Sequence, residues 1–376
     1  MASAQALLRH CITFTLSIHL NSFCPPLRHV TMLLTVISAL SLLTGWAFGA
    51  AVPVARTALP GTWSTLPNIT LNGVQYPRQE PSVVLLGDDM YLLGGILPFN
   101  GVTYPTVNIV QKFNFITNTW TEVAPMPAAL NHANVAVVNG MIYYLGGLGV
   151  TAAGGPSYWN VSGACAVYDP SANEWTVLPD MPEGRAIGSA ATMVVRETIY
   201  LPGGLLNINA TNSKQDTTAM FTSYNVATQE WAALPDLPAP RDHAGKAQFD
   251  NMLYILGGRL NGSWNVVDTV FGYNIDTNCW STDFAPMPTG RGGCVSATIG
   301  HITFTAGGEG DPNTSTYVWP QMQAYDAVRN TWTSYTDMAT PVHGTAAVVY
   351  NGKVIIPGGG LEIGGDPTQL VQSFMP

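Results

Sequence analysis

The sequence predicts an all-β protein folded as a six-bladed β-propeller whose blades are four-stranded antiparallel sheets. The first observation is the composition: the 376 residues include 38 Gly and 27 Pro, and only 10% are charged. Such a chain is typical of many short strands joined by tight turns. The second is a repeat, because a short apolar segment ending in Gly-Gly occurs six times at spacings of 50 to 57 residues. Periods near 50 with aromatic and glycine markers are typical of propeller blades.

Each repeat carries the same set of markers. The Gly-Gly pairs begin at Gly94, Gly146, Gly203, Gly257, Gly307 and Gly358. In five repeats an aromatic residue precedes a tryptophan by seven positions, in the pairs Phe113–Trp120, Tyr168–Trp175, Tyr224–Trp231, Tyr273–Trp280 and Tyr325–Trp332. These markers resemble those of the kelch-repeat family, and the resemblance covers residues 60 to 376. It implies blades with strands a to d counted outwards from the axis and gives the markers structural roles.

The two ends of the repeat region predict how the ring closes. Trp63, in "GTWSTLP", precedes the first Gly-Gly, so its segment supplies a strand d without its own strands a, b and c. Phe374 occupies the strand c position after the last Gly-Gly. We therefore expect three C-terminal strands to pair with the N-terminal strand in the last blade, which leaves no free sheet edge at the seam. The propeller is expected to span residues 52–376.

Residues 1–51 are predicted to be a signal peptide with a long N-terminal region, and Met32 is an alternative start. An apolar run from Met32 to Leu43 precedes several small residues, as in a cleaved secretory signal. The alternative is an uncleaved membrane anchor, since residues 30–52 are long enough to span a bilayer. Five glycosylation sequons agree with a secreted or secretory-pathway protein. Their asparagines are Asn68, Asn160, Asn209, Asn261 and Asn313.

Basic residues cluster at the predicted start of strand a. The position 16 residues before each Gly-Gly, or 18 in the third repeat, is occupied by Arg78, Leu130, Arg185, Arg241, Arg291 and Val342. The two positions that follow include His132, His243 and His343. One interpretation is that the arginines tie blades together through backbone carbonyls. The other is a polar pocket at the mouth of the central channel, where Arg binds carboxylate, enolate or phenolate oxygens and His moves protons. In that pocket His132, His243, His343 and Arg241 are the catalytic candidates.

The connections between strands b and c are expected to form the walls of this pocket. Their lengths vary most, and they carry Trp159, Trp264 and Trp319, which we predict to bind ligand together with Arg78, Arg185, Arg241 and Arg291. The alternative is that these tryptophans only pack the long loops. All five sequons are expected on the same face, where glycans would obstruct a broad protein partner more than a small ligand.

The remaining features narrow the function. The net charge of −9 argues against nucleic-acid binding, and the sequence contains no nucleophile motif, phosphate loop or dinucleotide fingerprint. Kelch enzymes that resemble galactose oxidase hold copper with the help of a cysteine–tyrosine crosslink. This sequence has no cysteine in the loops expected at the channel mouth, so no metal and no cofactor are expected.

We expect a secreted kelch propeller that binds a small acidic or phenolic metabolite at the channel mouth. If it is an enzyme, it is expected to be an isomerase, cyclase or epimerase that uses no redox cofactor. Its resemblance in size and leader to secreted fungal kelch proteins implies an accessory or tailoring role in secondary-metabolite biosynthesis. The alternatives are a non-catalytic extracellular module for a protein or glycan partner, and an intracellular kelch adaptor, which the leader argues against. The clustered His and Arg favour the small ligand.

Overall fold

A computed structural model describes residues 59–150, 158–209 and 214–376. In these ranges every regular element is a β-strand, which confirms the all-β prediction. No helix in these ranges has the length and apolar character needed to cross a membrane. The predicted signal peptide, and with it the alternative membrane anchor, lies outside the described residues.

The strands follow one another along the chain, mostly as antiparallel meanders. The first eleven are β1 (Thr62–Leu66), β2 (Thr70–Leu71), β3 (Val74–Gln75), β4 (Ser82–Leu86), β5 (Asp89–Leu93), β6 (Val110–Asn114), β7 (Thr119–Val123), β8 (Val135–Val138), β9 (Met141–Val150), β10 (Tyr158–Asp169) and β11 (Glu174–Leu178). The next eight are β12 (Met193–Val195), β13 (Thr198–Asn209), β14 (Lys214–Asn225), β15 (Glu230–Ala233), β16 (Gly245–Phe249), β17 (Met252–Leu256), β18 (Val270–Asn274) and β19 (Cys279–Ser281). The last nine are β20 (Val295–Ile299), β21 (Ile302–Ala306), β22 (Met322–Asp326), β23 (Thr331–Tyr335), β24 (Val348–Tyr350), β25 (Lys353–Pro357), β26 (Gly360–Glu362), β27 (Gly365–Pro367) and β28 (Val371–Met375).

Four separate four-stranded antiparallel sheets form blades of a β-propeller. They consist of β4–β7, β16–β19, β20–β23, and β24, β25 and β28 with β1. Strands β8–β15 form one eight-stranded sheet, because β10 pairs with β13 from Tyr158↔Asn209 to Asn160↔Asn207. The described chain thus has four separate four-stranded blades, and this count differs from the six expected because the eight-stranded sheet is continuous.

The continuous sheet arises where loops were predicted. Strands β9 and β10 extend through most of residues 148–163, and β13 and β14 extend through most of residues 205–218, so the predicted loops are largely two-stranded ribbons. The extension buries apolar side chains that flexible loops would leave in water. Ile96, Leu148, Trp159, Leu205 and Ile208 form a small separate core there. Removing this apolar surface from water favours the ribbon over an irregular loop.

The seam is closed by the first and last strands, as the sequence predicts. Strand β1 pairs antiparallel with β28, and Trp63 lies opposite Phe374 with ring centroids 4.9 Å apart. The Trp63 indole Nε1 also donates to the backbone oxygen of Thr336, 2.9 Å away. The two ends of the described propeller are therefore held in one sheet.

The marker tryptophans join neighbouring sheets. Each lies on the outer strand of its meander, opposite the marker aromatic, as in the pair Tyr168↔Trp175. In four of the five the indole N–H donates to a backbone oxygen of the preceding meander, for example Trp175 to Ala124 at 2.9 Å and Trp332 to Ala285 at 2.9 Å. These contacts give the markers the structural role that the resemblance implies.

The first glycine of each pair allows close approach to the next blade. Gly203 has φ of 67°, and a Cβ there would lie 2.5 Å from the backbone oxygen of Arg241. The following residue, Gly204, donates its N–H to that same oxygen at 2.7 Å. Only glycine tolerates both the backbone conformation and this distance.

Candidate functional site

Six equivalent residues form a ring at the central axis, each just before an innermost strand. All six have positive φ, between 49° and 67°: Glu80, His132, Ser189, His243, Gly293 and Gly344. Their backbones are linked from one meander to the next, as in Glu80 N–H to the Gly344 oxygen at 2.6 Å and Ser189 N–H to the His132 oxygen at 2.8 Å. This rigid ring presents four polar side chains to the axis.

The ring borders a central channel with a cavity volume of about 120 Å³. Its wall consists mainly of small residues, such as Ala133, Ala190 and Thr345, together with the side chain of Lys246. Burial lowers the pKa of Lys246 to about 8. The channel is therefore lined by small side chains, with a few ionisable groups among them.

Three ionisable side chains meet at one point of the ring, and we call Glu80, His132 and His243 the axial cluster. The Nε2 atoms of the two histidines are 2.9 Å apart. One carboxylate oxygen of Glu80 lies 3.2 Å from His132 Nε2, and the other lies 3.8 Å from His243 Nε2. The histidine side chains are only 3% exposed and Glu80 is 13% exposed, so the cluster is buried except where Glu80 faces the channel.

Hydrogen-bond acceptors orient both imidazoles from behind. Asn131 Oδ1 lies 2.5 Å from His132 Nδ1, and Asp242 Oδ1 lies 2.7 Å from His243 Nδ1. The Asn131 amide nitrogen donates to the hydroxyl of Thr106, which also accepts the indole N–H of Trp159 at 2.8 Å. Each histidine is thus fixed by the residue directly before it in the sequence.

A buried ion network extends from His243 towards one side of the axis. Arg259 donates to Asp242 Oδ1 at 2.9 Å and contacts the Glu309 carboxylate, and its Nη2 lies 3.0 Å from His243 Nε2. His343 lies beside Glu309, with Nδ1 and Oε2 3.6 Å apart, and its Nε2 donates to the Glu362 oxygen at 2.7 Å. The network connects the axial cluster with His343.

Burial sets the protonation of these groups. Burial lowers the pKa of His343 to about 4 and that of His132 to about 3, in both cases against the charge of Glu80. Burial alone would raise the pKa of Glu80, but His132 and His243 lower it below its ordinary range. The shifts of Glu80 and His132 compete, because a neutral His132 lends Glu80 no positive charge. Since Glu80 is the more exposed partner, the carboxylate is the group that keeps its charge.

Three of the four predicted arginines bind protein rather than face the axis. Arg78 is fully buried, donates to the Gly94 oxygen at 2.5 Å and also reaches Gln111. Arg291 repeats this arrangement with the Gly307 oxygen at 3.1 Å and Gln323 at 2.6 Å.

Arg241 has different partners, but they too are groups of the protein. It donates to the Pro240 oxygen at 2.8 Å and to Thr269 at 2.6 Å, and its guanidinium lies over the Phe271 ring at 4.7 Å. All three arginines thus bind groups of their own meander, and none of these hydrogen bonds joins one sheet to the next.

The predicted equivalence of Arg185 with these arginines is wrong. The bridge Gly188↔Leu205 corresponds to Gln79↔Ile96 in the first repeat, so Ile187 occupies the position of Arg78. Ile187 is fully buried, whereas Arg185 is partly exposed in the turn before it. Allowing 18 residues in the third repeat placed the alignment two residues too early.

The predicted tryptophans lie in different environments. Trp159 is 4% exposed and belongs to the ribbon core. Trp264 is 55% exposed and packs against Tyr317, with ring centroids 4.9 Å apart. Trp319 is partly buried, and no hydrogen bond to its indole Nε1 is found in the described chain.

The sequon asparagines also differ in exposure. Asn261 and Asn313 are exposed, whereas Asn68, Asn160 and Asn209 are partly buried. Asn160 lies within β10, opposite Asn207.

The sequence analysis did not single out Glu80, Asp242, Arg259 and Glu309 as site residues. A signal was present for two of them, because Arg259 and Glu309 directly follow Gly-Gly pairs. The same position holds Ile96, Leu148, Leu205 and Gly360 in the other repeats. Charged residues at a repeat position that is otherwise apolar or glycine could have identified Arg259 and Glu309 as candidate site residues.

Comparisons with known proteins agree with the fold. A family profile described as KLHDC2/KLHL20/DRC7 Kelch-repeats domain matches residues 165–360, and the Kelch motif profile matches residues 77–127. "Kelch-like protein terF" of Aspergillus terreus is 62% identical over 349 residues, which cover 93% of this chain and 75% of that protein.

More distant proteins match the same region. "Kelch-like protein 23" of Homo sapiens is 26% identical over 77% of this chain, which spans about half of that protein, 48%. The solved structure of YjhT superimposes with a TM-score of 0.66 at 17% identity, covering 82% of this chain and 96% of YjhT. At this identity the likeness concerns the fold alone.

Proposed function

Because the chain belongs to the kelch-repeat family, we propose that it is a six-bladed propeller that binds a small acidic or phenolic metabolite at the axial mouth of its channel. We further propose that it isomerises or cyclises this metabolite by proton transfer. The observation that carries the proposal is the axial cluster, in which two imidazoles and a carboxylate converge beside an open channel.

Six blades are supported by dividing the eight-stranded sheet into two meanders, β8–β11 and β12–β15. Each meander has its own Gly-Gly pair, its own marker tryptophan and its own residue in the axial ring. The pairing between β10 and β13 involves only the ribbon ends. The axial ring likewise contains one residue for each of the six repeats.

The chemistry of the axial cluster suits an anionic or hydroxylated ligand. Imidazole and carboxylate groups can take and return the protons of a bound ligand, as needed to move a double bond next to a carbonyl or to close a ring. In a site removed from water, such polar groups act on the ligand more strongly than in solution. The nearby Arg259 provides positive charge, and Lys246 lies in the channel wall.

A binding experiment tests this proposal while the identity of the ligand is still open. The purified protein is dialysed to equilibrium against a culture extract of the native host from which its gene has been deleted. Mass spectrometry then identifies small molecules enriched on the protein side. We expect an acidic or phenolic compound to be enriched by the wild type and by His301→Ala, whose side chain is 41% exposed and lies in a distant turn. We expect no enrichment by His243→Ala; equal enrichment by all three proteins contradicts the proposal.

We propose that the protein acts in the secretory pathway or outside the cell, as a glycoprotein that serves a natural-product pathway. The support is the apolar leader, the five sequons and the exposure of Asn261 and Asn313. The similarity to terF of Aspergillus terreus is compatible with a fungal origin.

A second candidate function is a non-catalytic binding module for a protein or glycan. It is favoured by one observation, the exposed aromatic pair of Trp264 and Tyr317, of which 55% and 39% are accessible to solvent. Exposed aromatic side chains are common contact residues in binding surfaces. Trp264→Ala would then abolish partner binding, whereas binding at the axis would survive this change.

A further inference from the structure

The three side chains of the axial cluster are arranged as metal ligands. Each offers one ligand atom, and these atoms lie within 4.8 Å of one another. A divalent metal with bonds of about 2.1 Å places neighbouring ligand atoms about 3.0 to 3.4 Å apart, for angles between 90° and the tetrahedral value. The two separations at His132 Nε2, 2.9 Å to His243 and 3.2 Å to Glu80, lie close to that range, whereas Glu80 and His243 are 3.8 Å apart and would move closer to share an ion.

The tautomers of the histidines point to the same conclusion. Asn131 Oδ1 and Asp242 Oδ1 are acceptors, so the neutral imidazoles carry their hydrogen on Nδ1. Each Nε2 atom then carries a lone pair instead of a hydrogen, and the two lone pairs face each other across 2.9 Å. This contact is repulsive unless a positive centre lies beside both atoms. Histidines that bind metals are oriented in this way, with the other ring nitrogen donating to a carboxylate or carbonyl oxygen.

The charge of the surrounding network also calls for a cation. Glu80, Asp242 and Glu309 are connected by contacts in which Arg259 is the compensating positive charge. The three carboxylates therefore outnumber the single guanidinium, and buried negative charge without a counter-charge is costly. One divalent ion would balance this excess of negative charge.

We propose that Glu80, His132 and His243 bind one divalent transition-metal ion, of the Zn²⁺ or Fe²⁺ type, on the propeller axis. Two imidazoles and one carboxylate are a donor set suited to both ions, and they leave coordination positions open towards the channel. Arg259 would give up its contact with His243 Nε2 but keep Asp242 and Glu309 as partners. This proposal departs from the expectation, made from the sequence, that no metal binds.

If the proposed function is right, the ion would also bind the metabolite. An open position on a divalent ion binds a phenolate, enolate or carboxylate oxygen directly. The ion would then polarise the ligand at the axial cluster.

Metal content tests the site without any metabolite. The full chain is secreted from a fungal host, purified without chelators and examined by inductively coupled plasma mass spectrometry. The chelated protein is then titrated with Zn²⁺, Co²⁺ and, without oxygen, Fe²⁺. We expect about one ion per chain in the wild type and in His301→Ala, and at least about a tenfold loss of affinity in His132→Ala and in His243→Ala.

Two results would overturn the proposal: a wild type that binds none of the three ions, or variants that bind them as tightly as the wild type does. If the variants do not fold, X-ray absorption of the Zn²⁺-loaded wild type decides. Scattering from two imidazoles supports the site, and fewer than two refutes it. Because no metabolite takes part, failure of the proposed function and failure of the metal site are separate outcomes.

Discussion

The Nε2 atoms of His132 and His243 lie 2.9 Å apart at the centre of the propeller, although 111 residues separate the two histidines in the sequence. Each occupies the same position of its repeat, with positive φ and an oxygen acceptor contributed by the preceding residue. A repeat that directs equivalent residues to one axis thus brings distant side chains into contact. A few substitutions at this one repeat position are therefore enough to create a cluster of ionisable side chains on the axis.

Replacing a buried arginine should destabilise the fold rather than impair ligand binding. Arg78→Ala leaves the Gly94 oxygen and the Gln111 side chain without their donor. We expect a loss of about 3 kcal/mol in the free energy of unfolding, because buried acceptors lose a charged partner. Thermal unfolding measures the effect, and Lys353→Ala, at an exposed position, is the control. Unchanged melting together with lost ligand binding would favour the pocket interpretation of Arg78.

Acidification should destabilise the protein partly through His343. Burial lowers its pKa to about 4 in the folded state, from an ordinary value of 6.5. Between these values the unfolded chain binds more protons than the folded one, so stability is complete above about pH 6.5 and falls as the pH decreases towards 4. The slope is at most about 1.4 kcal/mol per pH unit for one group.

Urea unfolding of the wild type and of His343→Gln across this pH range measures the contribution of His343. The variant is expected to lose less stability per pH unit, since glutamine does not titrate. Parallel curves for the two proteins would show that His343 is not buried in its neutral form.

The seam between the chain ends should contribute strongly to stability. Phe374 is fully buried in β28, opposite Trp63 and near Tyr335, with ring centroids 4.9 and 5.9 Å away. Phe374→Ala is expected to cost about 3 to 5 kcal/mol, the usual effect of deleting a large core side chain. The neighbouring Met375→Ala is a matched control, because Met375 is 41% exposed. Similar melting temperatures for the two variants would contradict the paired seam.

Glycans should be present on the protein secreted by its native host. Asn261 and Asn313 are exposed sequon asparagines, and we expect both to be occupied. Enzymatic release of N-glycans in ¹⁸O water, followed by peptide mass spectrometry, marks each occupied asparagine by deamidation. Unmodified Asn261 and Asn313 in the mature protein would argue against the secretory route.

The repeat architecture could be predicted because it depends on local markers. Glycine at Gly203 and tryptophan at Trp175 are required by backbone conformation and by sheet-to-sheet contacts, so they recur at a regular period. The seam could be predicted for the same reason, since Trp63 and Phe374 belong to the marker set.

The site was only partly predictable. His132 and His243 were identified because both are histidines at the same repeat position. Glu80 occupies that position too, but it was missed because it is acidic and the predicted pocket was defined by basic residues. Arg259 and Glu309 come from the adjoining segment, and sequence spacing alone does not reveal that the two side chains meet. The ribbons of β9–β10 and β13–β14 were missed because their stability comes from the core around Trp159, which draws on three repeats.

The most direct test of the central claim compares the metabolites of three strains of the native host. One carries the wild-type gene, one lacks it, and one expresses His243→Ala at the wild-type level. We predict that the deletion and the variant both lose the same acidic or phenolic product and accumulate the same precursor. A variant strain that makes the wild-type product, or three identical profiles, would contradict a role for the axial cluster in metabolite conversion.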